Sequence, residues 1–185
     1  MWRTSGKRIS VFCQDSDTVA IPRAGLRTAV CSYHRNIHVT PDRKFQVHDQ
    51  CENLASVKHL SWFVLPPVQE FYYRNREPEY EPLPPFRADC DASQSVSPME
   101  MIYPKNNARL FIPRELDGNI GNSVFELAHR DPSSTVFWHM DGKYVGSTYR
   151  VHHLPVVADP GKHRLTVDDE NGSEIVRAFG ILSGS

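Results

Sequence analysis

The C-terminal half of the chain consists of short runs rich in β-branched and aromatic residues, separated by turn dipeptides. Asp141-Gly142 and Asn171-Gly172 are typical of two-residue hairpin turns, whose backbone needs positive φ. Trp138 alternates with residues 136 and 140, so it is expected to point into a core as its central anchor. The candidate strands are 101–103, 109–112, 123–129, 135–140, 143–145, 149–152, 163–167 and 174–179. Short strands at this spacing predict a mainly β fold, with an immunoglobulin-like β-sandwich over residues 98–182.

Smaller elements are predicted in the first part of the chain. Short alternating runs at 8–13, 19–21, 32–40 and 45–48, separated by turn formers, predict a small β-hairpin region over residues 1–59. Residues 60–75 are predicted to form one short helix, because Pro67 suits a first turn and Val68, Phe71 and Tyr72 fall on one face at spacings of three and four. A hairpin region of this size buries little apolar surface, so it needs a disulfide, a metal or a neighbouring domain.

A proline-rich segment separates these elements from the sandwich. The chain has 14 prolines, and five of them lie between residues 77 and 98, where small polar residues follow the first four. Proline favours extended backbone and the small polar residues favour flexibility, so residues 76–97 are interpreted as a linker.

The charge balance limits the possible partners. There are 21 basic and 22 acidic residues, for a net charge of −1, which argues against nucleic acid or an anionic membrane surface. No apolar run approaches the roughly 18 residues of a spanning helix, so no membrane contact by this segment is expected. The first residues lack the apolar core of a signal peptide, so we expect no export signal in this chain.

Four cysteines leave three interpretations open: disulfides, zinc ligands or free buried thiols. Cys13, Cys31, Cys51 and Cys90 permit three disulfide pairings in an oxidising compartment. Alternatively, Cys31 and His34 form one knuckle and His48 and Cys51 a second, which resembles zinc-ribbon spacing. This second interpretation describes a small zinc-ribbon interaction protein with a sandwich attached.

Motifs for catalysis are absent from the sequence. It contains no Ser-x-x-Lys, no Ser-x-Asn, no Lys-Thr-Gly, no Gly-x-Ser-x-Gly elbow and no phosphate-binding glycine loop. The paired carboxylates Glu77 and Glu79 lie in the predicted linker, where nothing would raise their pKa for acid catalysis. We therefore expect no catalytic residue, no cofactor and no enzyme activity in this chain.

Several strings resemble one protein family. The segments 24–34, 61–73 and 83–90 are similar to the region that follows the transpeptidase domain in type 1C class A penicillin-binding proteins. The segments 102–108, 138–146 and 160–168 are similar to the C-terminal domain of that family. The most specific elements are Trp-Phe-Val-Leu-Pro-Pro at 62–67 and Trp-x-x-Asp-Gly-x-x-x-Gly at 138–146. The resemblance spans nearly the whole chain.

This resemblance implies a cell-wall synthase of Gram-negative bacteria, anchored in the inner membrane with its bulk in the periplasm. The full-length family carries a peptidoglycan glycosyltransferase and a penicillin-binding transpeptidase, and neither motif set is present here. The chain is therefore expected to be a trailing, non-catalytic piece that contacts the rest of a synthase, other cell-wall proteins or peptidoglycan. Tyr144 and Tyr149 are candidate glycan or partner contacts, although their spacing equally allows burial. A periplasmic location would permit disulfides. In that case one bridge is expected among Cys13, Cys31 and Cys51, with Cys90 left to tie the linker back.

Overall fold

The computed structural model describes residues 6–14, 17–90, 96–113 and 121–182. The chain divides into two compact units. The N-terminal unit contains Met1–Leu65 and Glu79–Ser95, and the sandwich unit contains Pro66–Pro78 and Val96–Ser185. None of the helices in the described ranges has the length and apolarity needed to span a bilayer.

The N-terminal unit is built around one pair of antiparallel strands, β1 (His34–Val39) and β2 (Lys58–Phe63). Short 3-10 turns cover Arg23–Arg27 and Leu54–Ser56. The helix predicted over residues 60–75 is too long, because residues 60–63 belong to β2 and the helix begins at Pro67. Alternation along β2 buries Trp62. The helix cannot begin earlier than Pro67, since a proline disfavours helical backbone in the residue before it.

The structure also differs from the predicted linker over residues 76–97. Its central part returns to the N-terminal unit, where the amide of Gln46 donates to the Pro85 carbonyl and the amide of Arg87 donates to the Gln46 carbonyl. A disulfide joins Cys90 to Cys51. Proline lacks an amide hydrogen but keeps its carbonyl, so an extended proline segment still pairs through its acceptors. Residues 91–95 of the predicted linker lie outside the described residues.

The sandwich unit confirms the predicted fold class. Its strands are β3 (Met99–Tyr103), β4 (Ala108–Phe111), β5 (Ser123–His129), β6 (Thr135–Met140), β7 (Lys143–Tyr149), β8 (His152–Val156), β9 (Gly161–Asp169) and β10 (Glu174–Leu182). They form a five-stranded sheet in the order β4-β10-β9-β6-β7 and a three-stranded sheet in the order β3-β5-β8. Only the β4–β10 pair is parallel among these. Trp138 is fully buried in the core, with Phe125, Leu127 and Leu165 among its other members.

Of the two predicted two-residue turns, the structure contains the first, and the second is a longer connection. Asp141 and Gly142 have φ of 52° and 78°, as the predicted two-residue turn requires. At Asn171-Gly172 the connection is longer, because β9 ends at residue 169 and β10 begins at 174. The carboxylate of Asp169 accepts from the amides of Asn171 and Ser173 and so shapes this loop.

The single strand predicted over 149–152 is two strands in the structure. Tyr149 ends β7 in one sheet and His152 begins β8 in the other. Arg150 has a φ of 62° between them, a left-handed backbone conformation that breaks an extended run.

Helix α1 (Pro67–Arg74) belongs to the sandwich unit and packs against β5 and β3. Glu70 in its first turn is almost completely buried and forms an ion pair with Arg130, just after β5. The amide of Val68 donates to a Glu100 carboxylate oxygen of β3 at 3.3 Å. Polar contacts therefore fix this helix against the three-stranded sheet.

Candidate functional site

A β-bulge determines the orientation of the two tyrosines on β7. Tyr144 and Tyr149 are five positions apart, so strict alternation would place them on opposite faces of the sheet. Thr135 pairs with Tyr149 and His139 pairs with Tyr144, and the register shifts between Trp138 and His139. This shift leaves one extra residue in β7, which restores both tyrosines to the same face.

That face is the solvent side of the five-stranded sheet. Phe137 and His139 alternate with the buried Trp138 on β6, so they lie on the same side as the two tyrosines. Tyr144 is 59% exposed and Tyr149 is 53% exposed, and both lie on an edge strand. We call Tyr144, Tyr149, Phe137, His139 and Asp168 the aromatic face.

Polar groups accompany the rings of the aromatic face. The His139 and Tyr144 ring centroids are 5.5 Å apart in an edge-to-face arrangement. Nδ1 of His139 lies 3.4 Å from Oδ2 of Asp168 on the neighbouring strand β9. The Arg150 guanidinium lies 5.4 Å from the centre of the Tyr149 ring. This surface offers flat apolar rings with hydrogen-bonding groups at their edges, an arrangement suited to amphipathic ligands.

A second feature of the sandwich unit is a cavity of about 200 Å³ beside α1. Its lining includes Glu70, Arg74, His129, Arg150 and His152 together with apolar side chains. Oε1 of Glu70 has no hydrogen bond among the described residues, although Nη1 of Arg74 lies 4.0 Å from it. The lining of the cavity therefore combines apolar side chains with charged groups of both signs.

The cavity is connected to the core anchor through a short hydrogen-bond chain. Nε1 of Trp138 donates to Oγ1 of Thr148 at 2.8 Å, and Nδ1 of His152 lies 3.1 Å from the same oxygen. His152 is only 4% exposed, and its Nε2 has no hydrogen-bond partner among the described residues. Burial lowers the pKa of His152 to about 4, and the neighbouring His129 ring adds to the shift. His152 is therefore neutral at physiological pH.

The predicted cysteine and histidine sites fall into two clusters. Cys13, Cys31 and His34 converge in one cluster, and His48, Cys51 and Cys90 in the other. Since Cys51 is bonded to Cys90, the predicted zinc set of Cys31, His34, His48 and Cys51 does not come together. The expected bridge among Cys13, Cys31 and Cys51 is not formed either: Cys13 and Cys31 are unbonded.

Sequence reasoning predicted Tyr144 and Tyr149 as contact residues, and it did not single out Phe137, His139 or Asp168 beside them. The signal for Phe137 and His139 was present, because any residue adjacent to the inward Trp138 must point outward. Asp168 required knowledge of which strand lies beside β6, and this depends on sheet order. Glu70 and His152 were also missed, since polar residues are rarely expected to be so deeply buried.

Part of the chain is similar to known proteins. Residues 88–179 match a family model described as the Penicillin-Binding Protein C-terminus Family. Among solved structures, the fibronectin(III)-like modules of Clostridium thermocellum CbhA share 18% identity at a TM-score of 0.33, covering 45% of this chain and 93% of theirs. SGBP-B of the Bacteroides ovatus mixed-linkage glucan utilization locus, solved with a mixed-linkage heptasaccharide, shares 14% identity at a TM-score of 0.30. That match covers 45% of this chain and 24% of SGBP-B. No curated protein matches the chain.

Proposed function

We propose, from the premise that residues 88–179 belong to the Penicillin-Binding Protein C-terminus Family, that this chain is a non-catalytic accessory module of a periplasmic peptidoglycan synthase. The module binds glycan strands of the cell wall through the aromatic face. In this role it positions the synthase on its polymeric substrate and leaves bond formation to other domains. The type 1C subclass remains a prediction from the sequence.

The observation that carries this proposal is the placement of Tyr144 and Tyr149 on one exposed sheet face. Large aromatic side chains on a strand normally gain stability by burial, at about 25 cal/mol per Å² of apolar area. Here a β-bulge orients both rings towards solvent, where they contribute little to the core. Bulges that redirect side chains occur often at functional sites.

Sugar chemistry fits the remaining groups of the aromatic face. A pyranose ring presents apolar C–H faces, which pack against aromatic rings, and a rim of hydroxyl groups, which need hydrogen-bond partners. His139 and Asp168 supply such partners beside the Tyr144 ring. With a rise of about 3.3 Å per residue, the two tyrosines lie on the order of 15 Å apart along β7, so they suit an extended polymer.

The test is co-sedimentation of the full chain with purified, insoluble peptidoglycan. We expect the wild-type protein to pellet with the polymer and a Tyr144→Ala/Tyr149→Ala variant to lose most of this binding. Tyr72→Ala is a matched control, because Tyr72 is 52% exposed on α1, away from the aromatic face. Equal retention of the double variant and the wild type would remove the glycan-binding proposal.

The non-catalytic assignment has a separate test. A transpeptidase of this class forms a covalent bond between its serine and penicillin, and the motif containing that serine is absent from the sequence. We therefore expect no covalent labelling of the purified chain by a fluorescent penicillin. Stoichiometric labelling that survives denaturation would contradict the assignment.

A further inference from the structure

Two thiols and an imidazole converge in the N-terminal unit, away from the disulfide. Sγ of Cys13 lies 3.4 Å from Nδ1 of His34, and Sγ of Cys31 lies 3.6 Å from the same nitrogen. All three atoms lie within 4.8 Å of one another. Both cysteines are unbonded, and Cys31 is buried.

Backbone hydrogen bonds hold the two contributing segments together. The amide of Arg8 donates to the Ala29 carbonyl at 3.3 Å, and the amide of Cys31 donates to the Arg8 carbonyl at 2.7 Å. Cys13 closes a turn in which its amide donates to the Ser10 carbonyl at 3.2 Å. Cys31 and His34 are separated by two residues at the start of β1. The three side chains are thus positioned by local backbone structure.

The observed distances match those between ligand atoms of a tetrahedral zinc ion. Zn–S bonds of about 2.3 Å and Zn–N bonds of about 2.0–2.1 Å, at a tetrahedral angle, separate sulfur from nitrogen by about 3.6 Å. The two measured separations, 3.4 and 3.6 Å, agree with this value. One Nδ1 lone pair accepts only one thiol proton well, whereas a metal ion bonds to all three atoms at once.

Hydrogen-bonding groups of Ser10 lie beside the Cys13 sulfur. The amide of Ser10 donates a hydrogen bond to its Sγ at 3.4 Å, and the Ser10 hydroxyl lies 3.4 Å from the same sulfur. Donors directed at a sulfur atom stabilise its negative charge, and the thiolate is the form that binds metals.

We propose that Cys13, Cys31 and His34 form a zinc site that fastens the start of the N-terminal unit to β1. No fourth Cys, His, Asp or Glu joins this cluster among the described residues, so the proposal names these three side chains as ligands. The site is separate from the Cys51–Cys90 disulfide. It shares Cys31 and His34 with the zinc set predicted from the sequence, and Cys13 takes the place of His48 and Cys51. It goes beyond the proposed function, because its role is independent of glycan binding.

The experiment measures the metal content and metal affinity of the full chain, purified without chelator and then titrated with Zn²⁺ and Co²⁺. We expect about one zinc per chain, and with Co²⁺ a thiolate-to-metal charge-transfer band. His34→Gln and Cys13→Ser should each abolish stoichiometric binding. The disulfide variant Cys51→Ala/Cys90→Ala and the variant His48→Asn should keep it, since their residues belong to the other cluster.

Three results would overturn the proposal. One is protein that binds no metal while both thiols are reduced and titratable. Another is a Cys13–Cys31 disulfide found by non-reducing peptide mapping in protein prepared with zinc present. The third is loss of metal in His48→Asn with retention in His34→Gln, which would place the ion in the second cluster. Circular dichroism of each variant shows whether it folds. If Cys13→Ser does not fold, His34→Gln still tests the site.

Discussion

Acidification should destabilise the sandwich unit through His152. Its ring is buried, and the pKa falls from 6.5 to about 4 in the folded state. The unfolded chain therefore binds a proton at His152 below about pH 6.5, while the folded chain binds it only near pH 4. The free energy of unfolding is highest above pH 6.5, falls as the pH is lowered to 4, and loses nothing further from this group below that.

The magnitude follows from the shift in pKa. Each pH unit between the two pKa values corresponds to about 1.4 kcal/mol, so complete titration costs about 3 kcal/mol. This is a large part of the 5–15 kcal/mol or so that stabilises a typical domain. The groups that face His152 are Thr148, His129 and the neighbouring His153, together with the charged residues that line the cavity.

Urea unfolding at a series of pH values measures this effect. Replacing Trp2 and Trp62 by phenylalanine leaves Trp138 as the only indole, so fluorescence reports on the sandwich unit alone. His152→Asn keeps a polar atom near the Nδ1 position but does not titrate. Between pH 6.5 and 4, the free energy of unfolding should fall by about 3 kcal/mol less in this variant than in the parent.

His153→Asn is the matched control, because His153 is the exposed neighbour. Its pH dependence should follow the parent. Other titrating groups remain in all three proteins and cancel in the difference. The reasoning fails if the parent and His152→Asn lose stability in parallel, or if acidification stabilises the parent relative to the variant.

Three further predictions concern stability. Glu70→Ala leaves Arg130 without its buried partner and should lower the free energy of unfolding by about 3–5 kcal/mol. Glu77→Ala, in the exposed segment after α1, should lower it little. Urea unfolding followed at Trp138 compares the two variants, and equal effects would contradict the importance of the ion pair. A double-mutant cycle of Trp138→Phe and Thr148→Val should give a coupling energy of about 1 kcal/mol for the Nε1 hydrogen bond, and additive effects would show that the bond contributes nothing. Cys51→Ala/Cys90→Ala removes a disulfide that joins residues 39 positions apart, so the free energy of unfolding of the N-terminal unit should fall by about 4 kcal/mol. Trp62 fluorescence measures this unfolding. An unchanged stability after reduction of the wild-type disulfide would refute the prediction.

The sequence was sufficient for the sandwich because its signals are local. Alternation around Trp138 and the Asp141-Gly142 pair depend only on backbone geometry over a few residues. The match at residues 88–179 confirms the resemblance to a penicillin-binding protein C-terminal region. Helix α1 was found at Pro67 for the same local reason, while its predicted start at residue 60 ignored the strand pattern of β2.

Features that depend on distant contacts could not be predicted. The composition of the proline-rich segment predicts a linker, because composition does not show which distant groups the segment pairs with. In the structure its Pro85 carbonyl accepts from the Gln46 amide, and its Arg87 amide donates to the Gln46 carbonyl. The bulge in β7 arises from its pairing with β6, so the common orientation of Tyr144 and Tyr149 was not determined by spacing. The pairing of Cys51 with Cys90 likewise required the fold.

A nuclear magnetic resonance titration of the full chain with soluble glycan fragments of peptidoglycan tests the account most directly. If the chain is a passive wall-binding module, the largest shift changes should lie at Tyr144, Tyr149, Phe137 and His139, and they should saturate with increasing fragment concentration. Fragments that leave these resonances unchanged, or that shift mainly the residues lining the cavity beside α1, would contradict it.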